Sequence, residues 1–78
     1  MNKRKQNERK FINWKSTETD GRLYWYEVTG RMGWTARYIK KVDKNEKTLR
    51  FLQEIYDENG NLIEIHEKYP IDKGHKKI

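Results

Sequence analysis

Residues 48–69, TLRFLQEIYDENGNLIEIHEKY, decide the fold, because two strand-forming runs stand here on either side of a turn sequence. Both runs are rich in aromatic and β-branched residues, which are favoured in strands. The segment DENGN at 57–61, between the runs, is typical of a β-hairpin turn. The stretch therefore predicts an antiparallel hairpin.

The length of the turn decides which side chains of the hairpin share a face. A two-residue loop would pair Ile55 with Glu64 and would mix apolar and charged groups on both faces. A three-residue loop, 58–60, with Gly60 in the left-handed conformation, sets Ile55 opposite Ile63 instead. Because the three-residue loop gathers the apolar side chains on one face, it is the predicted one.

This register also assigns the two faces of the hairpin. A side chain on one strand faces the same way as the residue directly opposite it. On the predicted register His66 lies opposite Leu52 and points away from the core. The predicted core face consists of Leu49, Phe51, Ile55, Ile63, Ile65 and Tyr69.

Three further strand-like runs precede the hairpin, with turn sequences between them. No connection is long enough for the crossover that parallel strands need, so neighbouring strands should pair antiparallel in the order 1-2-3-4-5. The sequence thus predicts an all-β protein built as a five-stranded antiparallel meander. The upstream runs are FINWKSTE (11–18), RLYWYEVT (22–29) and WTARYIKKV (34–42).

The second strand carries apolar side chains on both faces, since Tyr24 and Tyr26 alternate with Leu23 and Trp25. No amphipathic helix is available to cover a second face. We therefore expect a strongly curled sheet or a small, partly open barrel, or packing against another chain. A homodimer is the simplest way in which another chain could cover the second face.

A chain of 78 residues is long enough for one domain with a thin core. The predicted division is a basic flexible arm at 1–10, a single β domain at 11–70 and a basic tail at 71–78. Because the chain has no cysteine, it fits a reducing compartment, and we expect cytoplasmic localisation. No apolar run approaches the roughly 20 residues of a membrane span and no apolar signal core follows the basic N-terminus, so no membrane association is expected.

The net charge of +6 is concentrated at the two ends of the chain. Residues 1–10 hold five basic and one acidic residue (+4), 71–78 hold three and one (+2), and 11–70 hold ten of each. Within the β domain, 22–50 hold eight basic and three acidic residues, whereas 51–67 hold five acidic and no basic residues. The basic half suits RNA or another polyanion, and the acidic half suits a basic protein partner.

Aromatic and basic residues are interleaved along the middle strands. Sheet-based RNA binders use such rings to stack on bases and such cations to hold phosphates. The same rings are first of all core and interface material, so a protein-binding role stays open. The candidate nucleic-acid-binding residues are Trp25, Arg31, Trp34, Arg37, Tyr38, Lys40, Lys41 and Arg50.

The C-terminal segment EIHEKYPIDKGHKKI (64–78) contains both histidines. Metal-independent RNA cleavage needs a base, an acid and a cation near the phosphate, and this segment contains proton-transfer groups together with Lys73, Lys76 and Lys77, which could hold a phosphate. The alternative is an exposed strand followed by a frayed tail. Nothing in the sequence holds His75 near Glu64 and His66, so we predict no metal site, and we expect no cofactor. The candidate catalytic residues are His66, Tyr69 and His75, and the candidate cations are Arg37 and Arg50.

The run YDENGNLIEIHEKYPIDKGH (56–75) resembles the C-terminal ends of small toxin components of bacterial toxin–antitoxin modules, of the TumE-like or RelE-like kind. The resemblance implies an antiparallel sheet that binds or cleaves RNA and is silenced by an antitoxin. It carries His66, Tyr69 and His75 over as site residues. The chain departs from such toxins in lacking the N-terminal helices that they place on their sheet.

Two classes of function are therefore open from the sequence. The first is a small basic β-protein that binds RNA, in its sharper form a toxin-type ribonuclease controlled by a partner. The second is a non-enzymatic protein-binding module, such as a phage-type inhibitor or an oligomeric accessory protein, that uses its aromatic face. The sequence leaves open whether the chain is an enzyme.

Overall fold

The computed structural model describes residues 2–78, which form one antiparallel sheet with a short helix packed on one face. The six strands lie in the order β1-β2-β3-β4-β5-β6, and a turn of 3-10 helix, Arg31–Gly33, joins β2 to β3. The elements are α1 (Lys3–Lys10), β1 (Asn13–Ser16), β2 (Arg22–Thr29), β3 (Thr35–Val42), β4 (Thr48–Tyr56), β5 (Leu62–Tyr69) and β6 (Gly74–Lys77).

The predicted antiparallel meander is confirmed, with one strand more than expected. The additional strand β6 lies in the segment that the sequence analysis assigned to a tail, and it pairs with β5. The sheet is neither closed nor strongly curled, because β1 and β6 each have a single neighbour among residues 2–78. The expectation of a barrel was wrong because α1, predicted as a flexible arm, covers part of one face.

The turn of the β4–β5 hairpin is the predicted three-residue loop. Gly60 has a φ of +82° and donates its N–H to the carbonyl oxygen of Asp57 at 3.1 Å. Beyond the turn, Ile63 is the extra residue of a β-bulge. Ile55 therefore pairs with Glu64, which is the pairing that the rejected two-residue loop would have given.

This shifted register moves His66 to the other face of the sheet. The prediction of His66 opposite Leu52 was wrong, since His66 pairs with Gln53. A shift of one residue reverses the face of every later side chain in a strand, because the side-chain period is two. Ile65, predicted to share the core face with Phe51, consequently lies on the face opposite to Phe51. A second bulge, with Lys68 as the extra residue, follows in the same strand.

Cross-strand pairing divides the side chains between two faces. We call the side on which α1 packs the helix face, and the other side the open face. The two central rows of the helix face are Trp14, Tyr24, Lys40, Phe51 and Tyr69, and then Tyr26, Tyr38, Gln53, His66 and His75. The apolar centre of the open face consists of Leu23, Trp25, Ile39, Leu52 and Ile65.

Polar contacts, rather than an apolar stripe, hold α1 in place. The side chain of Asn2 caps the helix by accepting hydrogen bonds from the backbone N–H groups of Arg4 and Lys5. Within the helix only Asn7 is buried. An isolated helix of this length is unstable in water, so its contacts with the sheet are what keep it folded.

The buried carboxylate of Glu46 joins α1 to the sheet. Glu46 lies in the β3–β4 turn in the left-handed conformation, with φ +64°, and is 8% exposed. It accepts hydrogen bonds from Arg4 Nε at 2.8 Å, Asn7 Nδ2 at 3.1 Å and Tyr24 Oη at 2.8 Å. Burial raises the pKa of Glu46, but the hydrogen bonds from Arg4, Asn7 and Tyr24 outweigh it and leave the pKa below its usual value.

A small aromatic core lies beneath these contacts. Phe11, Tyr24 and Val42 are almost fully buried. The ring of Phe11 lies 5.3 Å from that of Tyr26 and 6.3 Å, edge on, from that of Phe51. The residue directly after α1 thus supplies the apolar contact between helix and sheet that the helix itself lacks.

Replacing Glu46 by Gln should lower the free energy of unfolding at neutral pH by about 2 kcal/mol, since hydrogen bonds to a charged group are lost. A carboxyl whose pKa is lowered by folding stabilises the protein above its usual pKa of 4.5 and loses that contribution as the pH falls. In urea-unfolding measurements, the wild type should therefore lose more stability than Glu46→Gln between about pH 6 and about pH 3. These two pH values lie above and below the range in which a carboxyl group titrates.

The matched control is Glu18→Gln, which removes an exposed carboxylate of the β1–β2 turn. Surface substitutions of this kind change stability by about 0.5 kcal/mol or less. Equal stability of the two variants at neutral pH would contradict the role of Glu46.

Candidate functional site

A cleft lined by lysines lies between α1 and the helix face. Its volume is about 510 Å³. Its aromatic walls are Phe11, Phe51 and Tyr69, and we call it the lysine cleft. The remaining lining residues are Lys3, Gln6, Asn7, Lys10, Lys40, Glu46, Lys47 and Thr48.

The positive charge of the lysine cleft is only partly neutralised. The cleft contains four lysines and one carboxylate, and that carboxylate, Glu46, is already bound to Arg4. Lys40 donates to Asn7 Oδ1 at 2.8 Å. Burial first, and then the nearby charge of Lys10, lowers the pKa of Lys40, against an opposing effect of Glu46. An anion in the cleft would relieve this repulsion.

Next to the cleft, a row of rings crosses the sheet. Tyr26 and Tyr38 stack with centroids 4.9 Å apart, and Gln53 Nε2 donates to Tyr38 Oη at 3.1 Å. Beyond Gln53, the rings of His66 and His75 lie 4.4 Å apart. We call Tyr26, Tyr38, His66 and His75 the ring row. It places four flat side chains on one face, two on β2 and β3 and two on β5 and β6, with Gln53 of β4 between the pairs.

His66 and His75 form a pair that a carboxylate positions. His66 Nε2 lies 2.6 Å from Asp72 Oδ1, and the backbone N–H of Gly74 donates to the same oxygen at 2.9 Å. The hydrogen bond with His66, followed by that with Gly74, holds the pKa of Asp72 below its usual range. Asp72 therefore fixes the orientation of one imidazole, while the second stands beside it and is exposed.

Lys68 connects the lysine cleft to the ring row. Its Nζ lies 5.3 Å from the ring centroid of Tyr38 and 5.7 Å from that of Phe51. Tyr38 belongs to the ring row and Phe51 to the wall of the cleft. The bulge at Lys68 thus brings a further cation between the two parts of the site.

The structure brings only part of the predicted catalytic set together. His66 and His75 are adjacent, as catalysis would require. Tyr69 lies on the same face but in the neighbouring row, where it lines the lysine cleft and is 43% exposed. The cations suggested from the sequence, Arg37 and Arg50, lie on the open face and are on the wrong side of the sheet for this role.

The predicted nucleic-acid-binding residues are divided among three places. Tyr38 and Lys40 lie on the helix face, where Lys40 lines the cleft and Tyr38 lies beside it. Arg31 and Trp34 lie at the far end of the sheet, where Trp34 Nε1 donates to Glu58 Oε2 at 2.9 Å. The open face holds the other four, which are Trp25, Arg37, Lys41 and Arg50.

The sequence did not single out the lysines that line the cleft from α1 and the β3–β4 turn, namely Lys3, Lys10 and Lys47. The available signal was the basic charge of residues 1–10, which was assigned to a flexible arm. The pairing of Asn7 and Arg4 with Glu46 is a long-range polar contact with no sequence motif. For that reason the position of the arm could not be predicted.

Comparisons with models of protein families, with curated protein sequences and with solved structures find no match to this chain. Within residues 2–78, no group of three or more metal-ligating side chains could hold a metal ion. No helix of the described chain is long and apolar enough to cross a membrane. The candidate site therefore stands on its own geometry.

Replacing His66 by Ala should raise the pKa of Asp72 toward its usual value of 3.8, because the hydrogen bond that lowers it most is lost. Carboxyl carbon NMR titration of both proteins would measure the shift. Asp57 is the internal control, since its pKa is lowered chiefly by the backbone N–H of Asn61 and is independent of His66. An unchanged titration of Asp72 would show that the contact is absent in solution.

Proposed function

We propose that this protein binds single-stranded RNA on its helix face, with phosphates in the lysine cleft and bases against exposed rings. The observation that carries the proposal is the convergence of Lys3, Lys10 and Lys40 in a cleft walled by Phe51 and Tyr69. Cations that follow a backbone, combined with aromatic platforms, are the two elements of single-strand binding.

Electrostatics favours an anionic ligand over a purely structural role for these lysines. Burial lowers the pKa of Lys40, and the charges of the exposed Lys10 and Lys3 lower it further. A structural cluster would be expected to carry its own counter-charges, but Glu46 is surrounded by its own three donors. A bound phosphate would supply the missing negative charge.

The shape of the site favours a single strand over a duplex. The ring row offers rings on neighbouring strands, which are about 4.8 Å apart, and sheet-based RNA binders use rings spaced in this way for splayed bases. Lys68 lies between the ring row and the cleft, where it can hold a phosphate of the same strand. A duplex would offer its bases only at the groove edges.

The triple variant Lys3→Gln, Lys10→Gln, Lys47→Gln should bind labelled oligouridine more weakly than the wild type. Because each neutralised phosphate contributes roughly −0.7 to the slope of log K against log salt, loss of three contacts should flatten the slope by about 2. Fluorescence anisotropy at several salt concentrations would measure both the affinity and the slope.

The charge-matched control is Lys15→Gln, Lys41→Gln, Lys76→Gln, whose three lysines are exposed and lie on the open face. It removes the same net charge but should leave the slope close to that of the wild type. Equal effects of the two triple variants would mean that net charge alone drives binding, and would contradict a site on the helix face.

Tyr69→Ala should weaken binding by about 1–3 kcal/mol and keep the slope, since stacking is uncharged.

A ribonuclease activity is the second candidate, and the His66–Asp72–His75 arrangement favours it. One imidazole would remove the proton of a ribose 2′-hydroxyl, whose oxygen attacks the phosphorus. The other imidazole would protonate the departing 5′-oxygen, leaving a 2′,3′-cyclic phosphate and a 5′-hydroxyl. Lys68, on the same face, would offset the charge of the phosphorane.

This candidate predicts that His66→Ala and His75→Ala each abolish cleavage of single-stranded RNA while keeping the salt slope of RNA binding. Gel analysis of end-labelled RNA would identify the cyclic phosphate product. Arg50→Gln is the control, because Arg50 lies on the open face and should be dispensable for cleavage. Cleavage that survives in both histidine variants, or a wild type that does not cleave, would reject the enzyme and leave the binding proposal intact.

A further inference from the structure

The open face is an uncovered apolar surface. Leu52, on the central strand β4, is 9% exposed, and Leu23, Trp25, Ile39 and Ile65 around it are half-buried. No other part of residues 2–78 forms a second layer there, since α1 lies on the helix face. A shallow groove of about 120 Å³ runs between Trp25 and Ile39. An apolar sheet face normally packs against another layer.

The size of the open face fits a stable protein interface. The molecule extends 37 × 24 × 24 Å, so that one face of the sheet covers at least roughly 600 Å² per copy, and two such faces would bury at least about 1,200 Å² in total. That total reaches the range of specific interfaces. The fold is also thin, because only four apolar residues of the described chain are buried. A chain with so small a core gains much from burying a second face.

Other routes to self-association are less favourable. The edge strands β1 and β6 have four residues each, and short edge strands offer few free hydrogen-bonding groups. β6 also carries Lys76 and Lys77, which disfavour continuation of the sheet into a second copy. The helix face is partly covered by α1 and is strongly basic. The open face is the remaining large surface.

One charged row of the open face is complementary to itself. Arg37 on β3 and Glu54 on β4 lie directly opposite each other in one cross-strand row, and Ile39 and Leu52 do so in the next. A twofold axis parallel to the strands, between β3 and β4, would lay β3 of one copy over β4 of the other. Arg37 would then face Glu54 across the interface, and the apolar pair would pack at its centre. In the row beyond Ile39 and Leu52, Lys41 of one copy would face Arg50 of the other, and Arg50 has Glu67 as an ion-pair partner in its own chain.

We infer that a second copy of this chain covers the open face, in a sheet-on-sheet homodimer whose twofold axis runs along β3 and β4. The sheets pack through the apolar centre, and the two helix faces point outward. Each copy keeps its lysine cleft open to solvent. The inference uses residues on the other side of the sheet from the proposed RNA site, so either can fail without the other.

Sedimentation equilibrium should give the wild type a mass of about 19 kDa, twice the chain mass of 9.6 kDa. Its melting temperature should rise with protein concentration, because dissociation accompanies unfolding. Ile39→Glu should reduce the mass to 9.6 kDa, whereas Val28→Glu, an exposed position on the helix face, should leave the dimer intact. A wild type that stays monomeric at high concentration, or a folded Ile39→Glu protein that still dimerises, would overturn the inference.

A charge swap at two half-exposed positions, Arg37 and Glu54, tests the arrangement; in its own chain Arg37 pairs with Glu27. Arg37→Glu alone and Glu54→Arg alone should each be monomeric or bind at least tenfold more weakly, because each sets like charges against each other across the axis. An equimolar mixture of the two variants should recover the mass of about 19 kDa, since every contact in the mixed dimer then joins opposite charges. A mixture that fails to recover would overturn this twofold arrangement.

Discussion

The buried carboxylate of Glu46 is the interaction on which the rest of the structure depends. It binds Arg4 and Asn7 from the helix and Tyr24 from the sheet, so one charged group in a turn fixes both layers. The contact is needed because α1 has no apolar stripe that could dock it on the sheet. The same contact positions Lys3 and Lys10 opposite Lys40 and thereby forms the lysine cleft. Stability and the candidate binding site therefore rest on the same group.

The sheet separates two kinds of surface that the sequence interleaves. Along β3, Tyr38 and Lys40 belong to the helix face, while Arg37, Ile39 and Lys41 belong to the open face. The surface proposed to bind a polyanion and the surface proposed for self-association are thus both produced by the alternation of side chains along a single strand. The two functions left open by the sequence, RNA binding and protein binding, do not exclude each other, because the two proposals use different faces of the sheet.

The predictable part of this fold was the part specified by local signals. The strand runs, the short connections and the left-handed Gly60 gave the meander and its turn, as the structure confirms. The bulges at Ile63 and Lys68 carry no turn residue or Gly to mark them, so the register of β5 and the face of His66 were wrong. Helix α1 was not predicted because its docking is polar, and β6 was not predicted because its sequence, GHKK, lacks the β-branched and aromatic residues that mark a strand.

The bulge at Ile63 makes the spacing along β5 part of the candidate site. One of the residues between Gly60 and His66 forms the bulge. Only with this number of residues does the imidazole of His66 lie on the same face as His75. An insertion or deletion of one residue there would move His66 to the apolar open face, even if both histidines were kept. Relatives that share this site should therefore preserve the interval between the turn glycine and the histidine more strictly than the identities of the residues within it.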